Sequence, residues 1–359
     1  MNKNNNNDKD RITAAPDSAQ TVYYDVSQPP FTVHGLLKDE AGYYRLPHDV
    51  AAAANDGVKE LNLHTAGGRL RFRTDAGRIS LRAKLRSVTR MPHFALTGSA
   101  GFDLYSDNIY RGTFIPPMDM ETDFISELSF GNSDGGIHEI TIHFPLYSGA
   151  ASLEIGLPAG CEIAKSSAYR IQAPVVYYGS SITQGGCASR PGNSYDNILS
   201  RLLSCEHINL GFSGSAKGEM CMAEYIAGLK MSAFVLDYDH NAPNPEHLER
   251  THAPFFRTVR NNNPALPIII MTRPQPNPNS DDLMRRNIVR QTFETAAESG
   301  DQNVFFIDGT QMLHAFGGDS GTVDNTHPND LGFYCIAKAL EPILKSALQK
   351  QDMRSFSFS

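Results

Sequence analysis

The chain has 359 residues, 40% of them hydrophobic and 20% charged, which supports a sizeable core and suggests two domains. Its formal net charge is −7 with no long basic run, which argues against a nucleic-acid or anionic-membrane partner. No apolar stretch reaches the length of a membrane span, so no membrane association is expected.

The first 20 residues are polar and lack the apolar core of a secretory signal, so 1–20 reads as a disordered tail. A cytoplasmic location is expected on that basis, although a leader missing from the sequence would leave the same appearance. Five cysteines, Cys161, Cys187, Cys205, Cys221 and Cys335, form no Cys-x-x-Cys pair, and their odd number fits reduced thiols better than a disulfide framework or a zinc site.

Residues 21–168 read as an all-β sandwich or jelly-roll domain. Segments 69–74 and 78–85 alternate with period two about Asp75-Ala76-Gly77, which predicts a hairpin. Further strands are expected at 93–97, 102–105, 139–144 and 151–155, separated by turns rich in Gly, Asp, Asn and Pro. A polar, proline-terminated stretch at 166–174 marks the domain boundary.

Across 169–359 the period changes. Strand-like runs at 175–178, 208–210, 233–236, 267–271 and 304–307 alternate with helical patterns at 194–204, 219–229, 245–260, 281–299 and about 331–350. Such alternation specifies a parallel sheet covered on both faces, with the ligand site at the carboxyl ends of the strands. There lie Ser181 in Gly179-Ser180-Ser181, Gly214 in the turn 211–215, Asn241 in Asp237-Tyr238-Asp239-His240-Asn241, and Asp324-x-x-His327-Pro328.

Each residue type has a chemical task. A serine hydroxyl needs a base, and imidazole suits that near neutral pH, so Ser181 pairs with His327. Asp324 would accept the other ring N–H and fix the tautomer. The backbone N–H groups of Ser181 and Gly214, with the Asn241 side chain, would hold the oxyanion. Taken singly, each motif is a turn or a helix cap, and Asp324 with His327 could be two metal ligands lacking a third. Their joint order on one sheet edge favours a serine hydrolase, with no metal and no cofactor. Cys187 is taken as a bystander. His240 and Arg273 lie near the crevice, the first as a possible substrate contact and the second more in keeping with a surface or helix-capping role.

The second domain resembles the SGNH or GDSL hydrolases. Gly179-Ser180-Ser181-Ile182 looks like the nucleophile block, Gly214 matches the glycine of the second block, and Asp324-x-x-His327-Pro328 matches the last. The resemblance implies a flavodoxin-like three-layer α/β fold and ester hydrolysis through an acyl-enzyme. Two departures stand out. Ser180 replaces the usual aspartate before the nucleophile, and Asp237-Tyr238-Asp239-His240-Asn241 replaces the Gly-x-Asn-Asp block. Asn241 is the chemical choice for the oxyanion, because a carboxylate at Asp239 would repel it.

In the first domain, Tyr43-Tyr44-Arg45-Leu46-Pro47, Arg71-Phe72-Arg73-Thr74 and Gly101-Phe102-Asp103-Leu104-Tyr105 resemble the β-domain preceding some bacterial GDSL hydrolases and carbohydrate esterases. That implies a small-molecule or glycan ester substrate, with an acetyl ester favoured. The competing readings are a lipid or thioester acylhydrolase, an acyltransferase, and a glycan-binding protein with a degenerate hydrolase domain. The oligomeric state is not legible in the chain.

Overall fold

A computed structural model describes residues 20–132, 135–314 and 318–356, so the expected N-terminal tail lies outside the described residues except for Gln20. Period-two alternation in the first half buries one face of each strand. Leu70 and Phe72 of Arg69–Thr74 and Ile79, Leu81, Ala83 and Leu85 of Arg78–Leu85 all enter one apolar core. They enter it from opposite sides. Arg69–Thr74 pairs antiparallel with His138–His143, Ile163–Ala164 and Thr32–His34, whereas Arg78–Leu85 pairs with Ala150–Pro158 and Asp123–Ser129. The expected hairpin is therefore not formed, and Asp75-Ala76-Gly77 carries the chain from one sheet of a sandwich to the other. Alternation selects the buried face of a strand but not its neighbour, and here facing strands satisfy it as well as paired ones would.

The run expected as a strand at 93–97 is also absent. Met91 and Phe94 form an isolated bridge, followed by a short helix, Leu96–Ser99. Pro92 lacks the N–H a ladder needs and Gly98 packs with no room for a side chain, which together break the run. Two helices, His48–Ala54 and Asp56–Leu61, interrupt the β-domain. Asn55 caps the second, its Oδ1 accepting from the Val58 backbone N–H at 2.9 Å. Neither helix packs in the sandwich. Leu46, Ala51 and Val58 share a core with Tyr178, Leu210, Phe212 and Ile226 of the second domain.

The parallel sheet has the order Cys205–Gly211, Ile171–Gly179, Ala233–Asp237, Ile268–Met271, Val304–Ile307. All neighbours run parallel, giving the order 2-1-3-4-5 of a flavodoxin-like sheet. Val175 and Tyr177 pack toward the face covered by Tyr195–Leu203 and Asp330–Phe356. Val176 and Tyr178 pack toward Met220–Ala227, Pro245–Asn262 and Ser280–Glu298. Both faces are buried, so the central strands are largely apolar, whereas the edge strand Cys205–Gly211 also carries the buried polar residues His207 and Asn209. No helix among the described residues is long and apolar enough to cross a membrane.

Candidate active site

The first strand of the parallel sheet ends at Gly179, where a Cβ would lie 2.2 Å from Thr183 Oγ1 and 2.3 Å from the Asp237 carbonyl oxygen. Only glycine fits this turn. Ser180 is extended and its Oγ accepts from the Ile182 N–H at 3.2 Å, capping the one-turn helix Ser181–Gln184. It performs locally the capping that an aspartate would otherwise do. Ser181, 4% exposed, opens that helix at the sheet edge.

Ser181 Oγ lies 3.0 Å from His327 Nε2, and His327 Nδ1 lies 2.7 Å from Asp324 Oδ2. The other Asp324 oxygen accepts the backbone N–H groups of Thr326 at 3.1 Å and His327 at 2.7 Å. Burial pushes the Asp324 carboxyl up, but the His327 N–H and ring and the Thr326 N–H outweigh it and hold it below its ordinary value. An ionised Asp324 places the ring proton on Nδ1, which leaves Nε2 as the acceptor for the serine hydroxyl.

Gly214 has φ +65, in the left-handed region, with open space where a Cβ would point. The Ser213 N–H donates to Gln184 Oε1 at 2.9 Å, tying this turn to the Ser181 helix. Asn241 Nδ2 donates to the Phe212 carbonyl at 2.8 Å, which uses one of the two amide hydrogens and leaves the second to donate elsewhere. Asp239 turns instead toward the fourth strand and accepts the Arg273 and His240 N–H groups. Burial raises its carboxyl to about 6, against the pull of Arg273. The His240 imidazole is lowered to about 4 by burial and by Arg273, whose Nη1 lies 2.8 Å from Nδ1. Arg273 also pairs with Asp282 in the first turn of Ser280–Glu298, so its charge is engaged.

The β-domain reaches this site at several points that the sequence reading did not single out. Tyr147 Oη donates to the Ser181 carbonyl at 3.3 Å, and Gln184 Nε2 lies 3.1 Å from His64 Nδ1. His93 Nε2 lies 4.0 Å from Asp324 Oδ2, with its ring centroid 5.9 Å from that of His327. A lone histidine in a loop, about 230 residues upstream of its neighbour, carries no pattern that could have revealed it. Cys187 is buried, and burial together with nearby Asp324 pushes its thiol up to about 12, which makes it a poor nucleophile. Among the described cysteines none is paired. An open cavity of about 380 Å³ lies alongside, lined by His93, Cys187, Ser189, Val323 and Leu331 among others. His93, Cys187 and His327 also offer three ligand atoms within 4.8 Å of one another, the one potential metal-binding group among the described residues.

The Gly101-Phe102-Asp103-Leu104-Tyr105 motif joins the domains. Phe102 and Leu104 enter the sandwich core, while Asp103 and Tyr105 both meet Arg190, at 2.8 and 2.6 Å. Asp103 also accepts the Gly192 N–H at 2.8 Å and the Thr113 hydroxyl at 2.7 Å. Tyr105 is a buried interface residue.

Residues 172–345 match the GDSL-like lipase/acylhydrolase family, and residues 21–163 match the N-terminus of SGNH-hydrolase-type esterases. The second domain belongs to the GDSL-like lipase/acylhydrolase family, and the first is the N-terminal domain that precedes it in SGNH-hydrolase-type esterases. The chain is similar over most of its length to a protein from Bacteroides ovatus ATCC 8483 described as a GDSL-like lipase. Identity is 29%, the TM-score is 0.81, and the match covers 92% of this chain and 98% of the other. A salicylyl-acyltransferase from a tetracycline biosynthetic pathway shares the fold at 20% identity and TM-score 0.74, covering 91% and 97%. An acetyl xylan esterase from the rumen bacterium Butyrivibrio proteoclasticus shares it at 13% identity and TM-score 0.57, covering 92% and 99%. No curated protein matches the chain. Family membership makes it an esterase or acylhydrolase, with the two-domain architecture of its structural neighbours.

Proposed function

We propose that the protein is a serine esterase acting on small acyl esters, acetyl esters foremost, with carbohydrate esters as the natural class. The observation that carries this reading is the hydrogen-bonded sequence Ser181 Oγ, His327 and Asp324, at 3.0 and 2.7 Å. In the proposed mechanism His327 Nε2 takes the hydroxyl proton as Ser181 Oγ bonds to the ester carbonyl carbon. The backbone N–H groups of Ser181 and Gly214 and the free amide hydrogen of Asn241 receive the negative oxygen. The tetrahedral adduct collapses, the imidazolium protonates the departing alcohol, and an acyl-Ser181 remains. Water, deprotonated by the same imidazole, then releases the acid and restores the serine. No cofactor is required for these steps.

A long-chain lipid substrate would call for an extended apolar groove at the triad. An apolar cavity of about 540 Å³ lies instead between Pro245–Asn262 and Ser280–Glu298, and none of its lining residues belongs to the triad. The test is release of p-nitrophenol from its acetyl ester by the wild type and by Ser181→Ala, with acyl chains of increasing length and acetylated oligosaccharides alongside. Turnover lost in the variant, with acetyl preferred, is the expected result. A folded Ser181→Ala protein of unchanged activity would overturn the serine mechanism. A preference for octanoyl would overturn the acyl assignment, and acyl transfer to an added polyol would make the enzyme a transferase.

A further inference from the structure

Three side chains from separate parts of the chain converge beside the nucleophile. His93 comes from the β-domain loop that precedes Leu96–Ser99, Cys187 from the segment that follows Ser181–Gln184, and His327 from the loop before Asp330–Phe356. Their ligand atoms lie within 4.8 Å of one another. Two imidazoles and a thiol are a donor set for a borderline-soft divalent cation such as zinc, whereas calcium and magnesium take oxygen. Tetrahedral zinc with bonds of about 2.0–2.3 Å holds its ligand atoms roughly 3.3–3.8 Å apart, so a contraction of about 1 Å closes the site. The two histidine side chains are 36% and 24% exposed, and the open cavity beside them leaves an entry path and room for a fourth, water ligand.

We propose that zinc binds reversibly to His93, Cys187 and His327 and switches the esterase off. The inhibitory part of this inference rests on the Ser181 mechanism, whereas the binding part does not. Nδ1 of His327 is engaged by Asp324, which leaves Nε2 for the metal. The Nε2 lone pair that would take the serine proton then forms a bond to zinc. Cys187 gives its proton to solvent and binds as thiolate, His93 supplies a third donor, and Ser181 has no base. Asp324 keeps its hydrogen bond to the ring, in the carboxylate–histidine–zinc arrangement that orients metal-bound imidazoles. One residue of the β-domain thus completes a site that neither domain holds alone.

The experiment titrates zinc chloride into wild type, His93→Ala, Cys187→Ala and Cys187→Ser, with each rate normalised to that protein's own rate in chelator. Inhibition of the wild type reversed by chelator, with a half-inhibiting concentration at least about tenfold higher in every variant, is the expected result. Cobalt(II) replaces zinc in a second arm, read as a thiolate-to-cobalt absorption band. The band is expected in wild type and in Ser181→Ala and is lost in Cys187→Ser. It needs no turnover, so it survives if the esterase reading fails, and its absence from folded wild type overturns the metal site while esterase activity stands. Equal zinc sensitivity in all four proteins overturns the proposal as well.

Discussion

Asp324→Asn is the substitution that isolates the electrostatic part of the triad. The two backbone donors on Asp324 Oδ1, at 2.7 and 3.1 Å, dictate how the asparagine amide must sit. Its carbonyl oxygen keeps those N–H partners, because the opposite orientation would set the amide hydrogens against two donors. The amide nitrogen therefore faces His327 Nδ1, where the carboxylate accepted at 2.7 Å. A donor in that place forces the ring proton onto Nε2, pointing it at Ser181 Oγ, and the imidazole then cannot accept the hydroxyl proton. A loss of about 10⁴ in kcat is expected, about 5.4 kcal/mol at 1.36 kcal/mol per decade, with KM little changed. Hydrolysis of p-nitrophenyl acetate by the purified variant measures it, with circular dichroism to establish an intact fold. A folded Asp324→Asn protein within tenfold of wild type would show that the carboxylate does not set the tautomer, and the mechanism would need another base.

Asn241→Ala removes the side-chain donor assigned to the oxyanion. It should lower kcat by about 10² to 10³ and, because the hydrogen bond to the Phe212 carbonyl is lost too, lower stability by about 1 kcal/mol; a kcat loss under threefold would return that role to the backbone alone. Gly211→Ala would place a methyl group 2.2 Å from the Gln184 nitrogen, so both thermal stability and turnover should fall because the nucleophile helix must shift. Glu206, largely buried, is lowered from 4.5 to about 2, burial opposing the shift and Arg69 and His34 driving it. Such a group stabilises the fold above its unfolded value, and the contribution disappears as pH falls from about 5 through 2, with a total on the order of 3 kcal/mol. Glu206→Gln should therefore be less stable by roughly that amount at pH 7 in urea unfolding, with the gap closing toward pH 2. A gap independent of pH would refute the linkage.

The parallel half of the fold was legible because its strands are buried on both faces and carry uninterrupted apolar runs such as Ile268–Met271. The convergence of Ser181, Asp324 and His327 was legible for a related reason, since polar loops gather at the strand ends and those ends can be counted along the sequence. The β-domain was harder. Leu70 and Phe72 announce which face is buried but say nothing of sheet partners, so a crossing between sheets reads as a hairpin. His48–Ala54 and Asp56–Leu61 have too few turns to show a period, and their apolar residues answer to a surface formed 150 residues later. Tyr147, His64 and His93 act through contacts between domains, which leave no local signature.

Arg45 shows how the two halves depend on one another. Its guanidinium is buried, bonds to the Gly211 carbonyl, and lies 4.3 Å from the centre of the Phe212 ring, just ahead of the turn that carries Gly214. The ribosome delivers Arg45, Ala51 and Val58 long before Leu210 and Phe212 exist to cover them. This patch must therefore wait, uncovered, through the synthesis of about 150 further residues, a span in which a nascent protein is exposed to misassembly and benefits from a chaperone. The same dependence limits how such an enzyme can be recombined. A hydrolase half grafted onto an unrelated leader domain would lose the cation that braces its glycine turn, so exchange between relatives should favour whole two-domain units over single halves.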